Sequence, residues 1–334
     1  MPSTARYVQQ IARPQGAPRP TDFTFLEGPL PTLEPGTALV ENVYLSVDPY
    51  MREVMDEGVG ELHTPMEGRS IGRVISSATP QLRTGDLVFH RQGWRTHALV
   101  RPEEARVLPR YEGVPLSAHL SVLGGTGLTA YVGLTKIARV RPGESVFISA
   151  AAGGVGSAAG QIARLLGAER VIGSAGSAAK VRHATERLGY HAAFDYHDGP
   201  VGELLRRAAP EGIDVYFDNV GGEHLAGALD VLREHGRVAW CGAVSQYNAA
   251  TPPAAPRNLY EVVHKSLRLE GFLVRNYRDA QRELEDFLVP RLRSGEVVAD
   301  ETMVVGFDRV VDAFLGMLRG ENLGKMIVQV GDPA

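Results

Sequence analysis

Ser145-Val-Phe-Ile-Ser149 runs into Ala150-Ala-Ala-Gly-Gly-Val-Gly156 and then into the small-residue stretch 157–166. The first five residues read as a compact buried strand and the last ten as a helix. Aligned to the dinucleotide-binding fingerprint, Ala151, Gly153 and Gly156 take its three glycine positions. The first serves the tight turn, the second lets backbone approach a pyrophosphate, and the third lets helix pack on strand. The helix N-terminus then offers unpaired N–H groups to an anion. A glycine-rich turn without a ligand is the alternative, but the strand–turn–helix setting is what gives such a pattern meaning. Residues 152–156 are therefore candidates for holding a dinucleotide phosphate.

Outward from this turn, strand and helix alternate. Val171-Ile-Gly173 reads as a second strand, followed by a helix over 178–188, and 214–218 and 237–241 as further strands. Strands separated by helices imply right-handed crossovers and a mostly parallel sheet, an α/β doubly wound unit. Residues 1–122 differ: proline, β-branched residues and turn signals dominate. Short strands are expected at 37–46, 72–77 and 86–90, the last after a Thr84-Gly-Asp86 turn. That texture suggests a small β-barrel, to which the tail returns at 326–330. The expected domains are 1–122 with 301–334, and 123–300, with a loop over 248–256.

Composition narrows the class. The chain has 334 residues and a net charge of −4, with 44% apolar residues. Its mass is 36.0 kDa, its pI near 6.2 and its mean hydropathy −0.11. That length suggests two domains. An acidic balance argues against nucleic-acid binding. No apolar run approaches the roughly 20 residues of a membrane helix, and the N-terminus carries no apolar export segment. The expectation is a cytoplasmic protein that binds neither nucleic acid nor membrane. The single cysteine, Cys241, excludes an internal disulfide framework and a multi-cysteine zinc module.

The end of the second strand selects the dinucleotide. An NAD site places Asp or Glu there, on the ribose 2′-hydroxyl. This chain has Gly173-Ser-Ala-Gly-Ser177, uncharged, with Lys180 following. A small polar loop and a cation suit a 2′-phosphate, hence NADPH, although Lys180 as a solvated helix residue is the plainer alternative.

Further motifs carry a resemblance. They are Ser46-Val-Asp-Pro-Tyr-Met-Arg52, Gly127-Leu-Thr-Ala-Tyr131, Ala150 to Gly156, Phe217-Asp-Asn-Val-Gly-Gly222, Cys241-Gly-Ala-Val-Ser-Gln-Tyr247, Leu269-Glu-Gly-Phe-Leu-Val274 and Glu321-Asn-Leu-Gly-Lys325. Through them nearly the whole chain resembles the zinc-independent branch of the medium-chain dehydrogenase/reductase superfamily. That branch holds the leukotriene B4 12-hydroxydehydrogenase/prostaglandin reductases, alkenal double-bond reductases and curcumin-type reductases. The resemblance implies a Rossmann domain with a GroES-like barrel, a homodimer, and NADPH/NADP+ held by Ala152, Gly153, Gly154, Val155 and Gly156. It adds Lys180 at the 2′-phosphate and Tyr196 on the adenosine side. Asn219, Cys241, Gly242, Ala243, Ser245, Tyr247, Phe272, Leu273, Val274 and Asn322 complete the implied envelope. Tyr196 and Tyr247 as ordinary surface aromatics, and Asn219 and Asn322 as turn residues, are the alternatives.

Zinc-dependent relatives carry a Gly-His-Glu ligand segment; here the corresponding residues are Pro65-Met-Glu-Gly68, with Met66 at the histidine place, and no cysteine precedes 241. No metal is expected. Without a Lewis acid, hydride delivery suits an already electrophilic carbon, and the β-carbon of an α,β-unsaturated ketone or aldehyde qualifies. A donor to the developing oxyanion is then required. The resemblance implies the candidates: counted back from Phe272, His264 stands where relatives carry their proposed catalytic tyrosine. Tyr260 lies four residues earlier, and so on the same face if that segment is helical, and Tyr50 comes from the Asp48–Arg52 motif. His264 as an exposed helix residue without a catalytic part is the competing reading. Two other functions stay open: an NADPH:quinone oxidoreductase of the zeta-crystallin type, and a non-enzymatic NADPH-binding protein.

Overall fold

The computed structural model describes residues 4–249, 251 and 254–333. The chain divides into two compact units, one of Met1–Leu120, Glu301–Asn322 and Met326–Ala334, the other of Ser121–Asp300 and Leu323–Lys325.

In the first unit, β1 (Thr4–Gln10) pairs antiparallel with β2 (Phe23–Pro29). β3 (Ala38–Ser46) is buried on both faces over most of its length, as befits the centre of a sheet. It pairs antiparallel with β4 (Ser70–Ser77), which pairs with β5 (Leu87–His90). β6 (His97–Val100) pairs with one end of β3, and β7 (Arg106–Val107) extends the sheet from β5. The short helix α1 (Met51–Val54) follows β3. Phe23, Met51, Met55, Met66, Trp94 and Phe314 lie in one buried cluster, with the Trp94 and Phe314 rings edge to face at 5.4 Å.

The second unit opens with α2 (Gly125–Val132) and continues as β8 (Ser145–Ile148), α3 (Gly154–Leu165), β9 (Arg170–Ala175), α4 (Ala178–Glu186), β10 (Ala192–Asp195) and α5 (Val201–Ala208). It completes itself with β11 (Ile213–Asp218), α6 (Gly222–Val231), β12 (Leu232–Trp240), α7 (Glu261–His264), β13 (Arg268–Gly271) and α8 (Gln281–Ser294). The six strands lie parallel in the order β10-β9-β8-β11-β12-β13. Counted from β8 this is 3-2-1-4-5-6, the doubly wound Rossmann order, with its reversal between β8 and β11. The tail supplies β14 (Glu301–Val305), α9 (Val310–Leu318) and β15 (Lys325–Gln329); β15 pairs with β3, so the first unit's large sheet draws strands from both ends of the chain. The architecture is α/β: a Rossmann sheet and a GroES-like β domain.

Several boundaries differ from the sequence reading. The helix expected from 157 starts at Gly154, because Gly153 is extended and caps it. The helix expected over 178–188 ends at Glu186. The strand expected from 237 begins at Leu232, with a register irregularity inside it between the pairs Ile213–Leu232 and Val215–Arg237. Within 248–256, residues 250, 252 and 253 lie outside the described residues, and the others carry no helix or strand. Among the described residues no helix is long and apolar enough to cross a membrane.

Candidate cofactor site

The carboxyl ends of β8 and β11 meet at the strand-order reversal, where open α/β sheets bind ligands. Ser149, just past β8, is fully buried. Its hydroxyl oxygen accepts from the Asn219 amide at 3.0 Å and the Tyr216 hydroxyl at 3.1 Å. The Asn219 side-chain amide donates back to the Ser149 carbonyl at 2.7 Å. Asp218 Oδ1 accepts from Tyr216 (2.7 Å) and from the amides of Val220 (2.9 Å) and Gly221 (2.7 Å), which fixes the turn. Burial nevertheless raises the Asp218 pKa, and its Oδ2 is enclosed without a partner.

The 241–247 segment lies along this turn. Cys241 Sγ donates to Asn219 Oδ1 at 3.1 Å and to the Asp218 carbonyl at 3.4 Å. As a residue Cys241 is partly exposed, but burial of the thiol, with the Asp218 carboxylate nearby, pushes its pKa well up. The Val244 and Ser245 amides reach the carbonyls of Asn219 and Val220, and Ser245 Oγ donates to Val220 at 2.6 Å. Ala243 lies beside Gly221. Asn219, Cys241, Gly242, Ala243 and Ser245 thus form one patch.

The glycine-rich turn follows β8. Its left-handed residue is Ala150 (φ 51°), one place before the position assigned to the first glycine. A Cβ on Gly156 would sit 2.1 Å from the Ala150 carbonyl oxygen, so the close packing of α3 on the turn requires glycine there. Gly324 pairs with Gly153 and donates its amide to the Ala152 carbonyl at 2.8 Å. The first amides of α3 remain without intrahelical acceptors.

At the end of β9, Gly176 and Ser177 lead into α4, and Ser177 Oγ accepts from the Lys180 amide at 3.3 Å. Lys180 is partly buried, burial lowers its pKa, and among the described residues no carboxylate pairs with it. The Tyr196 hydroxyl lies 3.0 Å from where a Gly176 Cβ would be. Its ring packs on His197 (4.2 Å) and edge-on against His224 (5.2 Å). Tyr196 therefore borders the Gly176–Ser177 turn that leads into the helix of Lys180; the open loop expected over 173–177 shrinks to these two residues, because Gly173, Ser174 and Ala175 are buried as the end of β9. His224 is buried, its Nε2 has no partner, and desolvation brings its pKa to about 4.

The remaining candidates are scattered. Phe272 is buried beside Phe217 and against Gly133, whereas Leu273 is exposed and Val274 begins a 3-10 turn. Tyr247 borders Gly242. Asn322 is buried in the first unit. Tyr260 and His264 do share a face, their rings 4.4 Å apart, but both are exposed, and His264 Nδ1 lies 3.5 Å from Glu261. Tyr50, in the first unit, has a buried hydroxyl without a partner. The Arg69 guanidinium lies over its ring at 5.3 Å and pairs with Asp48 at 3.2 Å. Burial first, then Asp48, keep this phenol protonated far above neutral pH. Ser149 and Asp218 escaped the sequence reading; a serine closing an apolar strand was the available signal.

A zinc site does not fit. Met66 is buried among apolar residues, and among the described residues no group of three or more His, Cys, Asp or Glu could hold an ion. A dinucleotide does fit, since the glycine-rich turn, the uncharged Gly176–Ser177 turn and a cation lacking an acid suit phosphate chemistry.

Residues 6–108 match the family "N-terminal domain of oxidoreductase", and residues 154–290 match "Zinc-binding dehydrogenase". Prostaglandin reductase 1 of Bos taurus is 40% identical over 94% of this chain and 95% of its own length. The 2-alkenal reductase (NADP(+)-dependent) of Nicotiana tabacum is 36% identical over 87% of each. The crystal structure of CurA in complex with NADPH from Vibrio vulnificus has a TM-score of 0.92 at 32% identity, covering 98% of this chain and all of that one. Similarity of this extent, on the Rossmann order and turn described above, settles the family: the chain belongs to the medium-chain dehydrogenase/reductase superfamily, in the branch of the prostaglandin, alkenal and curcumin reductases.

Proposed function

We propose that this protein is an NADPH-dependent, zinc-independent reductase of the carbon–carbon double bond of α,β-unsaturated ketones and aldehydes. The observation that carries the reading is the end of β9, where Tyr196 borders the uncharged Gly176–Ser177 turn and Ser177 caps the helix that carries the acid-free, partly buried Lys180. A 2′-phosphate answers that cation, and a 2′-hydroxyl would leave it without a counter-charge. When bound, the reduced dinucleotide supplies the hydride that the substrate's β-carbon accepts, and a proton completes the reduction at the α-carbon.

The chain's own residues bind and orient. The 152–156 turn and α3 receive the pyrophosphate, and the Ser149–Asn219–Cys241 patch shapes the crevice beyond it. Tyr50, Tyr260 and His264 are the candidate donors to the substrate oxygen. Tyr50 has the strongest claim, because its hydroxyl is buried, protonated and without a partner. The family resemblance adds a cytoplasmic homodimer, for which light scattering should find twice 36.0 kDa.

The test is a panel of enones, enals and quinones, with NADPH oxidation followed by absorbance. Turnover of enones and enals with NADPH well above NADH is expected. Quinone turnover alone moves the assignment to the quinone reductases, and no turnover with any acceptor overturns the enzymatic reading.

A further inference from the structure

The two phosphate-facing elements of the Rossmann unit are joined by a pair of side chains that no step above uses. His183 lies one turn beyond Lys180 on α4. Its Nε2 meets both oxygens of the Asp300 carboxylate, at 3.0 and 2.9 Å. Both side chains are nearly enclosed, at 14% and 6% exposed, while Arg187, 3.7 Å from the same carboxylate, is mostly in solvent.

Asp300 also faces the glycine-rich turn, through its backbone. Its carbonyl accepts the Lys325 amide at 2.8 Å, and Gly324 donates to Ala152 at 2.8 Å while pairing with Gly153. Gly324 has φ 61°, and a Cβ there would lie 2.0 Å from the Asp300 carbonyl oxygen and 2.7 Å from its Oδ2. A continuous path therefore runs from the helix of Lys180, through His183 and Asp300, to Gly324 and the 152–153 backbone. Every residue of it belongs to the second unit.

We propose that His183 and Asp300 are positioning residues that set the spacing between the 2′-phosphate element and the pyrophosphate turn, and so the preference for a dinucleotide carrying both groups. The inference rests on the NADPH reading. A ligand that bridges two subsites gains from their fixed separation, whereas a fragment occupying one subsite does not. A clasp of this kind should therefore act on whole NADPH and spare its halves.

The experiment is calorimetric titration of the full chain with NADPH, with adenosine 2′-monophosphate, which carries the 2′-phosphate but no 5′-phosphate, and with ADP-ribose, which carries the pyrophosphate but no 2′-phosphate. His183→Leu should weaken NADPH about tenfold and each fragment less than about twofold. His183→Gln, which keeps an amide donor in reach of Asp300, should restore most of the affinity. Asp300→Asn should reproduce the pattern at smaller amplitude, and it decides the matter if His183→Leu does not fold. Equal losses for NADPH and either fragment, or no loss at all, overturn the clasp. Wild-type protein that binds NADH as tightly as NADPH overturns the cofactor reading and the clasp with it, a result separable from a failure of the clasp alone.

Discussion

Replacing Lys180 by alanine should cost NADPH about ten- to a hundred-fold in affinity and leave NADH almost unchanged. The magnitude follows from the site. Lys180 sits on the first turn of α4, partly buried, with no carboxylate to share its charge. A charge-assisted contact with a 2′-phosphate is worth about 1.5–3 kcal/mol, which is that span of affinity. The residual exposure of the side chain argues for the lower half. The cofactor-free protein should respond in the opposite sense. Burial lowers this amine's pKa, so the folded state disfavours its charge, and removing it should leave the melting temperature level or slightly raised. Titration calorimetry with both dinucleotides, beside a thermal melt with and without NADPH, reads both effects. A parallel loss for NADPH and NADH would refute the assignment of Lys180 to the 2′-phosphate.

Gly156→Ala should destabilise the fold by about 2 kcal/mol or more and abolish dinucleotide binding, because the new methyl meets the Ala150 carbonyl at 2.1 Å; a urea melt checks it. Tyr50→Phe should slow enone reduction about tenfold or more with NADPH affinity unchanged; wild-type turnover in that variant, with a loss in Tyr260→Phe or His264→Ala, moves the oxyanion donor to the exposed pair. Acid should weaken the fold before the carboxylates titrate. His90 and His224 are held neutral by burial, with pKa values of about 3 and about 4, against about 6.5 unfolded. The unfolded chain therefore binds more protons as pH falls below that value, so stability is full above it and declines towards pH 4. By then each group removes roughly 3 kcal/mol. Flat stability between neutral pH and pH 4.5 in denaturant titrations would contradict this.

Much of the Rossmann unit was readable because its signals are local. The turn at 150–156 announces itself through glycine spacing, and the strands around it through short apolar runs. The first unit was harder, since β1 and β2 exist through their pairing with each other. α2 begins Gly-Thr-Gly, a poor helical start that its packing against α3 overrides. α8 keeps Pro290 in its interior, against the usual rule. In the site, Lys180, Tyr196 and the uncharged run 173–177 were legible as types in sequence, but not that 173–175 close β9 as buried strand. The partner that orients Asn219 was not legible, because Ser149 stands about 70 residues away and only the sheet brings the two together.

The environment of Cys241 has a chemical meaning of its own. α,β-Unsaturated carbonyls alkylate thiolates first and amines next, so the function proposed above would expose a protein to inactivation by its own substrates. Here the only sulfhydryl is engaged with Asn219 and Asp218 and held protonated, and protonated thiols are poor nucleophiles. Amines are almost as scarce, four lysines in 334 residues. Lys136 is tied to Glu283, Lys265 to the Leu229 and Asp230 carbonyls, and Lys325 is buried. The fourth is Lys180, which a bound 2′-phosphate would cover. Such a chain is chemically insulated: the scarcity and seating of its soft nucleophiles let it persist among electrophiles that would modify a thiol-rich surface.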